Sequence, residues 1–449
     1  MSIFGTDGLR GRVNEYPMTP EIAMKIAAIL GNKSFSKNGG LCRVVIGKDT
    51  RRSCYMIESA MTAGFIASGA DVILTGPVPT PAISMLTKSL RAEFGIMISA
   101  SHNLFEDNGI KIFDSNGIKI SDEMQHEIEK LLQLPYEKFY TESSLIGKVR
   151  RLDDVIGRYI EFVKSSISKD VNFNGIKIVL DVANGAAYKI APEIFRELGA
   201  EVFVLNDEPD GKNINSYCGS THPDIISKKV KELGFDIGIA VDGDADRLII
   251  CDEKGEVIDG DYIIGAIAKS MQSENKLTSN TVILTVMSNI SLEKFLNNLG
   301  LSVIRTAVGD RNVIKEMIAQ NSNLGGEQSG HIILRDYSKT GDGILAAIQI
   351  ISYLVKEKLK TSSITELFKK TPQTLVNLLL SKEKKIDLNG EAIKAEIMEC
   401  EKILNGNGRV LVRKSGTENL IRIMVEGEDV VRNKKCIQAL EKVLEQTSH

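Results

Sequence analysis

One pattern recurs three times in this chain and dictates most of what it can fold into. Arg43-Val-Val-Ile46 reads as a strand, an apolar helix-like stretch runs to Gly69, and Ala70-Asp-Val-Ile-Leu-Thr75 reads as a second strand. The same order returns as Lys177-Ile-Val-Leu180, a helix, Gly199 and a strand over 200–205. It returns again as a strand over 281–286, a helical stretch, Gly300 and a strand over 301–306. Each glycine follows an apolar helix face, just past the helix end, where a left-handed backbone is needed. Each segment is therefore βαβ-like, with its two strands parallel in one sheet. Three such units predict an α/β protein with three related α/β domains, built on mixed sheets.

The tail differs. Ser362-Ser-Ile-Thr-Glu-Leu-Phe368 is expected to start a helix, and Gln373-Thr-Leu-Val-Asn-Leu-Leu-Leu380 to form a strand. A hairpin spans Arg409 to Val425, and a final helix begins near Asp429. This predicts a smaller C-terminal α+β domain. The charged runs Lys148-Val-Arg-Arg151 and Lys356-Glu-Lys-Leu-Lys360 lie near the edges of these units, although each reads equally well as a solvated turn or helix face. The expected domains are 1–152, 153–252, 253–365 and 366–449.

A chain of 449 residues, 43% of them hydrophobic, can supply several cores. Its formal net charge of -3 argues against a nucleic-acid partner, which would leave a basic excess. Six cysteines form no Cys-x-x-Cys pair and read as reduced and structural. The start lacks a signal-peptide pattern and no apolar run is long enough to span a bilayer. The expectation is a cytoplasmic protein with no membrane partner; oligomeric state is not readable.

Asp242-Gly-Asp244-Ala-Asp246-Arg247 puts three carboxylates on alternate residues between strand-like 235–241 and 248–251. Such a cluster repels itself unless a hard cation sits among its members. A calcium-sensor loop is excluded, because its sixth position must be Gly and is Arg247, and its flanks should be helices. The bland alternative is a solvated acidic turn. Upstream, Gly95-Ile-Met-Ile-Ser99-Ala-Ser101-His102-Asn103 delivers a polar cluster to a strand's carboxyl end, where open α/β sheets place ligands. Alone, a Ser-His pair is an ordinary loop. Downstream, Arg413-Lys414-Ser415-Gly416-Thr417-Glu418 sits between strands, with Arg422 on the second; backbone N–H groups, hydroxyls and two guanidinium forks can cup an anion there. Gly325-Gly-Glu327-Gln328-Ser329-Gly330-His331 is the fourth cluster.

Taken with Phe4-Gly-Thr-Asp7-Gly-Leu-Arg10-Gly11, and in this order and spacing, these motifs resemble the α-D-phosphohexomutase family over essentially the whole chain. Pro209-Asp-Gly-Lys-Asn213-Ile-Asn215 and Cys218-Gly-Ser220-Thr221-His222-Pro223 are similar to the branch of that family that handles glucosamine phosphates. Two positions depart from the family pattern: Leu104 and Asn419 stand where Pro is usual, which leaves the reacting groups in place but frees φ in both loops. The resemblance implies a TBP-like fourth domain, with all four domains around one central cleft. It also implies interconversion of glucosamine 6-phosphate and glucosamine 1-phosphate through a 1,6-bisphosphate, supplying UDP-N-acetylglucosamine and cell-wall precursor synthesis.

In that scheme Ser101 carries the phosphoryl group, and one Mg²⁺ is held by Asp242, Asp244, Asp246 and a phosphoserine oxygen. Arg247 adds positive charge, and Lys111, Arg10, His102 or His331 takes or relays the hydroxyl proton, with no choice among them. Glu327 and Ser329 grip sugar hydroxyls beside a loop with Thr306 and Gly309, while Arg413, Ser415, Gly416, Thr417 and Arg422 clamp the distal phosphate. Gln328 tilts the sugar toward glucosamine. Three alternatives stand beside this: a phosphomannomutase or phosphoglucomutase, a magnesium-dependent phosphatase with Asp242 as nucleophile, and a sugar-phosphate sensor. The phosphatase leaves the serine loop and clamp unexplained, and the sensor would need a broken reactive set.

Overall fold

The computed structural model describes residues 3–5, 7–37, 42–379, 387–388, 390–414 and 420–446. Its strands form four sheets, of seven, five, four and three strands in chain order.

The first three sheets share one plan. A central buried strand (Arg43–Lys48, Lys177–Asp181 or Thr281–Thr285) pairs in parallel with the strand that follows the crossover helix (Asp71–Pro77, Glu201–Leu205 or Ser302–Thr306). On its other side it pairs in parallel with Phe94–Ile98, Ile237–Val241 or Leu324–Gly326. Each of these then turns back into an antiparallel partner: Asp107–Phe113, Leu248–Asp252 or Ile332–Leu334. The sheets are thus mixed, as expected. Gly69, Gly199 and Gly300 all have positive φ two residues beyond the crossover helices, so the predicted helix stops are where the backbone requires glycine.

Continuous Val/Ile runs make the central strands, because both faces of each sheet are covered by helices. One core cluster runs from Val45 and Ile83 through Tyr159, Phe195 and Ile239 to Leu284 and Ile350, so the first three units pack on one another. Fully burying each such side chain contributes about 1.5–3 kcal/mol. Helix Gly343–Glu357 lies in this core, and the Asp342 carboxylate caps it by accepting from the Leu345 N–H at 2.9 Å. Strand Val257–Ile258 extends the second sheet beyond residue 252. Lys148-Val-Arg-Arg151 forms an exposed edge strand of the first sheet, Val149–Arg151.

The C-terminal sheet is antiparallel in the order Gln373–Leu379, Leu420–Glu426, Arg409–Lys414, with helices Glu391–Ile403 and Val430–Gln446 packed on it through Ile393, Cys400, Ile423 and Leu440. One expectation fails here: residues 362–368 do not start an α-helix. A single 3-10 turn, Thr361–Ile364, is all that forms. The Ser362 N–H and hydroxyl both bond to Glu253 (3.0 and 2.6 Å), and Leu367 and Phe368 pack on the core instead of continuing a helix. All six cysteines are free and buried. Among the described residues no helix is long and apolar enough to cross a membrane.

Candidate active site

The shared plan puts one hairpin turn of each α/β unit at the same place. The turn after Phe94–Ile98 carries Ser101, the turn after Ile237–Val241 carries the three aspartates, and the turn after Leu324–Gly326 carries Glu327, Ser329 and His331. Backbone contacts join the second and third. Arg247 and His331 form an antiparallel bridge, the Leu248 N–H donates to the Gly330 carbonyl at 3.0 Å, and the Gly260 N–H donates to the Gln328 carbonyl at 3.1 Å.

Ser101 is buried and its backbone is left-handed, with φ of 52°. Its hydroxyl donates to Asp242 Oδ2 at 2.5 Å and lies 3.4 Å from His102 Nδ1. Asp242, Asp244 and Asp246 are all buried, and each offers a carboxylate oxygen within 4.8 Å of the others. Lys111 Nζ donates to Asp244 Oδ2 at 2.7 Å and to Asp246 Oδ2 at 2.8 Å, while Thr80 donates its hydroxyl to the same Asp244 oxygen. Asp244 Oδ1 and Asp246 Oδ1 are buried with no hydrogen-bond partner among the described residues. Three clustered carboxylates with two orphaned oxygens fit a hard, oxygen-seeking cation.

The electrostatics follow from burial and crowding. Desolvation, with Asp246 and Asp244 adjacent, pushes Asp242 up to about 8. Burial alone would raise Asp246, yet Lys111, His331 and Arg247 hold it well below the ordinary carboxylate range. Burial opposes the charge on Lys111, but Asp244, Asp246 and Asp7 outweigh it and keep the ammonium form. His102 is pushed down to about 3 by burial, with Arg247 and Arg10 nearby, and is neutral near pH 7. His331 moves the other way: desolvation lowers it, but Asp246 and Asp310 prevail and raise it. The Gly341 N–H donates to His331 Nε2 at 2.9 Å, so the neutral ring carries its proton on Nδ1, 3.8 Å from Asp246.

Several of these side chains form a ring in which Lys111, Asp7, Lys119 and Asp310 alternate in charge and His331 closes the circuit. Lys111 lies 3.4 Å from Asp7, Asp7 meets Lys119, Lys119 meets Asp310, and Asp310 lies 3.4 Å from His331, which returns to Asp246. Arg10 bonds to Asp7 at 3.3 Å and to the Asn103 side chain at 3.4 Å. The Gly309 N–H donates to Glu327 Oε1 at 2.9 Å and Ser329 donates to Glu327 Oε2 at 3.2 Å, so the two sugar-loop segments are one hydrogen-bonded unit. Thr306 ends its strand beside them, bonded to the Ala307 carbonyl at 3.0 Å.

In the C-terminal sheet Arg413 and Arg422 are directly opposed cross-strand partners. Two like charges in register repel, and burial, Arg422 and then Glu327 are the influences on Arg413, whose pKa is lowered overall. Glu327 therefore lies within electrostatic reach of the clamp. Ser415, Gly416 and Thr417 lie outside the described residues. Thr80 and Lys119 line the site and were not singled out from sequence, whereas Asp7 lies in the Phe4 to Gly11 motif and Asp310 ends the Thr306 to Asp310 loop; the signal available for Lys119 was a charged residue between apolar neighbours, Ile118-Lys119-Ile120.

Four models of the phosphoglucomutase/phosphomannomutase family match: α/β/α domain I over residues 1–137, domain II over 157–255, domain III over 259–372 and the C-terminal domain over 375–443. The chain belongs to that family. Within it, the phosphoglucosamine mutase of Bradyrhizobium diazoefficiens is 50% identical over 445 residues, covering 99% of either chain. The phosphoglucosamine mutase of Agrobacterium fabrum is 50% identical over 437 residues, covering 97% of this chain and 96% of that one. A phosphoglucomutase/phosphomannomutase family protein from Burkholderia thailandensis shares the fold, with a TM-score of 0.81 at 22% identity over 99% of this chain and 97% of that one. The Aspergillus fumigatus N-acetylphosphoglucosamine mutase, solved with GlcNAc-6P and magnesium, shares it with a TM-score of 0.64 at 16% identity, covering 86% and 94%.

Proposed function

We propose that the chain is a cytoplasmic phosphoglucosamine mutase, interconverting glucosamine 6-phosphate and glucosamine 1-phosphate through phospho-Ser101 and a glucosamine 1,6-bisphosphate. The product would feed UDP-N-acetylglucosamine and cell-wall precursor synthesis. The observation that carries the chemistry is the 2.5 Å bond from Ser101 to Asp242, at the edge of a buried acidic triad that is itself linked to the Glu327 hairpin. The sugar assignment rests on the relatives named above and on Gln328.

Asp242, Asp244, Asp246 and a phosphoserine oxygen would hold Mg²⁺, which when bound neutralises the nonbridging oxygens of the group being transferred. The remaining chemistry belongs to the side chains. Phospho-Ser101 gives its phosphoryl group to O1 of glucosamine 6-phosphate; the bisphosphate turns over, and Ser101 recovers the group from O6. Lys111 and Arg247 balance the added charge and remain cationic. His102 is neutral and adjoins the Ser101 hydroxyl, where its ring nitrogen can accept a hydrogen bond. His331 orients Asp246. Glu327 and Ser329 bind sugar hydroxyls and the amino group, beside Thr306 and Gly309. The opposed Arg413 and Arg422, with Ser415, Gly416 and Thr417, take the phosphate that is not reacting, which relieves their mutual repulsion.

Two measurements test this. Intact mass and phosphopeptide mapping should find phosphate on Ser101, and Ser101→Ala should fold and be inactive; label on Ser99 sinks the assignment. Under identical priming, kcat/KM should be highest for glucosamine 6-phosphate. A higher value for mannose or glucose 6-phosphate reassigns the sugar and leaves the mechanism standing.

A further inference from the structure

Ser101 is a non-glycine residue held in left-handed backbone, a conformation that costs energy and persists only where the surroundings over-determine it. Its N–H is bound by Ser99 Oγ at 2.9 Å. Its carbonyl is gripped twice, by Arg51 Nη2 at 3.0 Å and by Asn215 Nδ2 at 2.8 Å. The same two side chains also hold the Asn103 carbonyl, at 2.8 and 2.9 Å.

Arg51 is fully buried. Its guanidinium donates to the carbonyls of Ser101, Asn103, Leu104 and Asp107, all in one loop, and its Nε donates to Asp49 at 2.9 Å. A buried ion pair is weak evidence for stability, because apolar replacements of similar volume are often as stable. What a planar fork supplies, and an apolar side chain does not, is a fixed position for several carbonyls at once. The metal loop closes on the same point: a Cβ added at Gly243 would stand 2.8 Å from the Ser101 carbonyl oxygen and 2.8 Å from Asn215 Nδ2. Leu104 lacks the ring that would fix φ there, and Arg51 holds its carbonyl directly.

We infer that Arg51 and Asn215 are positioning residues for phosphoryl transfer: they jointly lock the peptide of Ser101 in the left-handed conformation that aims its hydroxyl at Asp242. Arg51 belongs to the first α/β unit and Asn215 to the second, so the reactive geometry exists only where the two units meet. The inference rests on the mutase reading and adds a role for two residues that touch neither substrate nor metal.

The test compares full-length Arg51→Lys, which keeps the charge and loses the fork, with Asn215→Gly, which removes the amide and tolerates that residue's own positive φ. Each is loaded with glucosamine 1,6-bisphosphate, and single-turnover transfer to glucosamine 6-phosphate is followed alongside KM and the ³¹P resonance of the phosphoserine. Transfer should slow by about 10- to 100-fold, as expected for a misplaced reacting group, with KM unchanged and the ³¹P line shifted. A merely structural role would lower the melting temperature while leaving the transfer rate per folded molecule and the ³¹P line at wild-type values, and that result overturns the inference. If Arg51→Lys fails to fold, Asn215→Gly decides alone. A wild-type enzyme that transfers phosphate to no hexose phosphate fells the mutase reading itself, a result distinct from fast variants beside an active wild type.

Discussion

Lys119 of the first α/β unit is held between Asp7 of its own unit and Asp310 of the third unit, so one ammonium group ties the charge ring to the helix start next to Gly309, whose N–H binds Glu327. Lys119→Met leaves the buried Asp310 carboxylate with only His331 beside it, while the half-buried Asp7 keeps Arg10 and Lys111, and should destabilise the protein by at most about 3–5 kcal/mol. Thermal unfolding of Lys119→Met and of Lys119→Met/Asp310→Asn checks it. The double variant should recover part of the loss; equal melting temperatures for the two would show that the unpaired Asp310 carboxylate is not what destabilises Lys119→Met.

Asp244→Asn keeps the volume and leaves an amide oxygen for Thr80 and Lys111, so the fold should survive. Mg²⁺ affinity should fall at least about 10-fold, the scale on which even supporting changes around metal sites act, and turnover should fall with it. Calorimetric titration with Mg²⁺ reads the first and a coupled assay the second. Full activity after exhaustive EDTA treatment would remove the metal from the reaction.

Arg422→Ala takes one guanidinium from the opposed pair and should cost binding more than chemistry. A charge-assisted contact to phosphate is worth about 1.5–3 kcal/mol, which predicts a raised KM and escape of bisphosphate into solution during turnover. Wild-type KM together with wild-type bisphosphate retention would refute the clamp.

Asp342 provides a pH signature in stability. Burial pushes its carboxyl up to about 6, against the lowering pull of the Leu345 N–H and the Tyr159 hydroxyl. At this group the folded state then holds more protons than the unfolded state between about pH 4 and 6, so the contribution of Asp342 to stability falls as pH rises through that window and is constant above it. Asp342→Asn still caps the helix and accepts from Tyr159 but has no such loss. Its melting temperature should gain on the wild type as pH rises from about 4 to 7, by an equivalent of roughly 3 kcal/mol at most. A constant difference across that range would mean that Asp342 titrates normally.

The three glycine-stopped repeats were legible because burial on both sheet faces demands unbroken Val/Ile runs, and the acidic triad because its spacing has few inexpensive explanations. What local pattern does not carry is partnership across long separations. Nothing near Lys119 announces Asp310, and nothing in Asp49-Thr-Arg51 announces a loop fifty residues on. Residues 362–368 misled for the same reason: their helical period is real, but Glu253, more than a hundred residues upstream, captures the Ser362 N–H and hydroxyl. The equivalence of the serine, aspartate and sugar-loop turns was also hidden, since it lies in position within a sheet and not in residue type.

The bridge between Arg247 and His331 has a mechanical consequence. The aspartate turn and the Glu327 hairpin share backbone hydrogen bonds and cannot separate without breaking them, so the two move as one block. The C-terminal sheet is attached differently, by side chains: Arg409 donates to the carbonyls of Val286 and Ser288, Glu426 accepts from the Ile290 N–H, and Gln328 donates to the Gln373 side chain at 3.3 Å. Under the proposed mechanism a bisphosphate must reverse end for end, and a body held by side-chain bonds, each exchangeable for water, is the one that could swing to give it room.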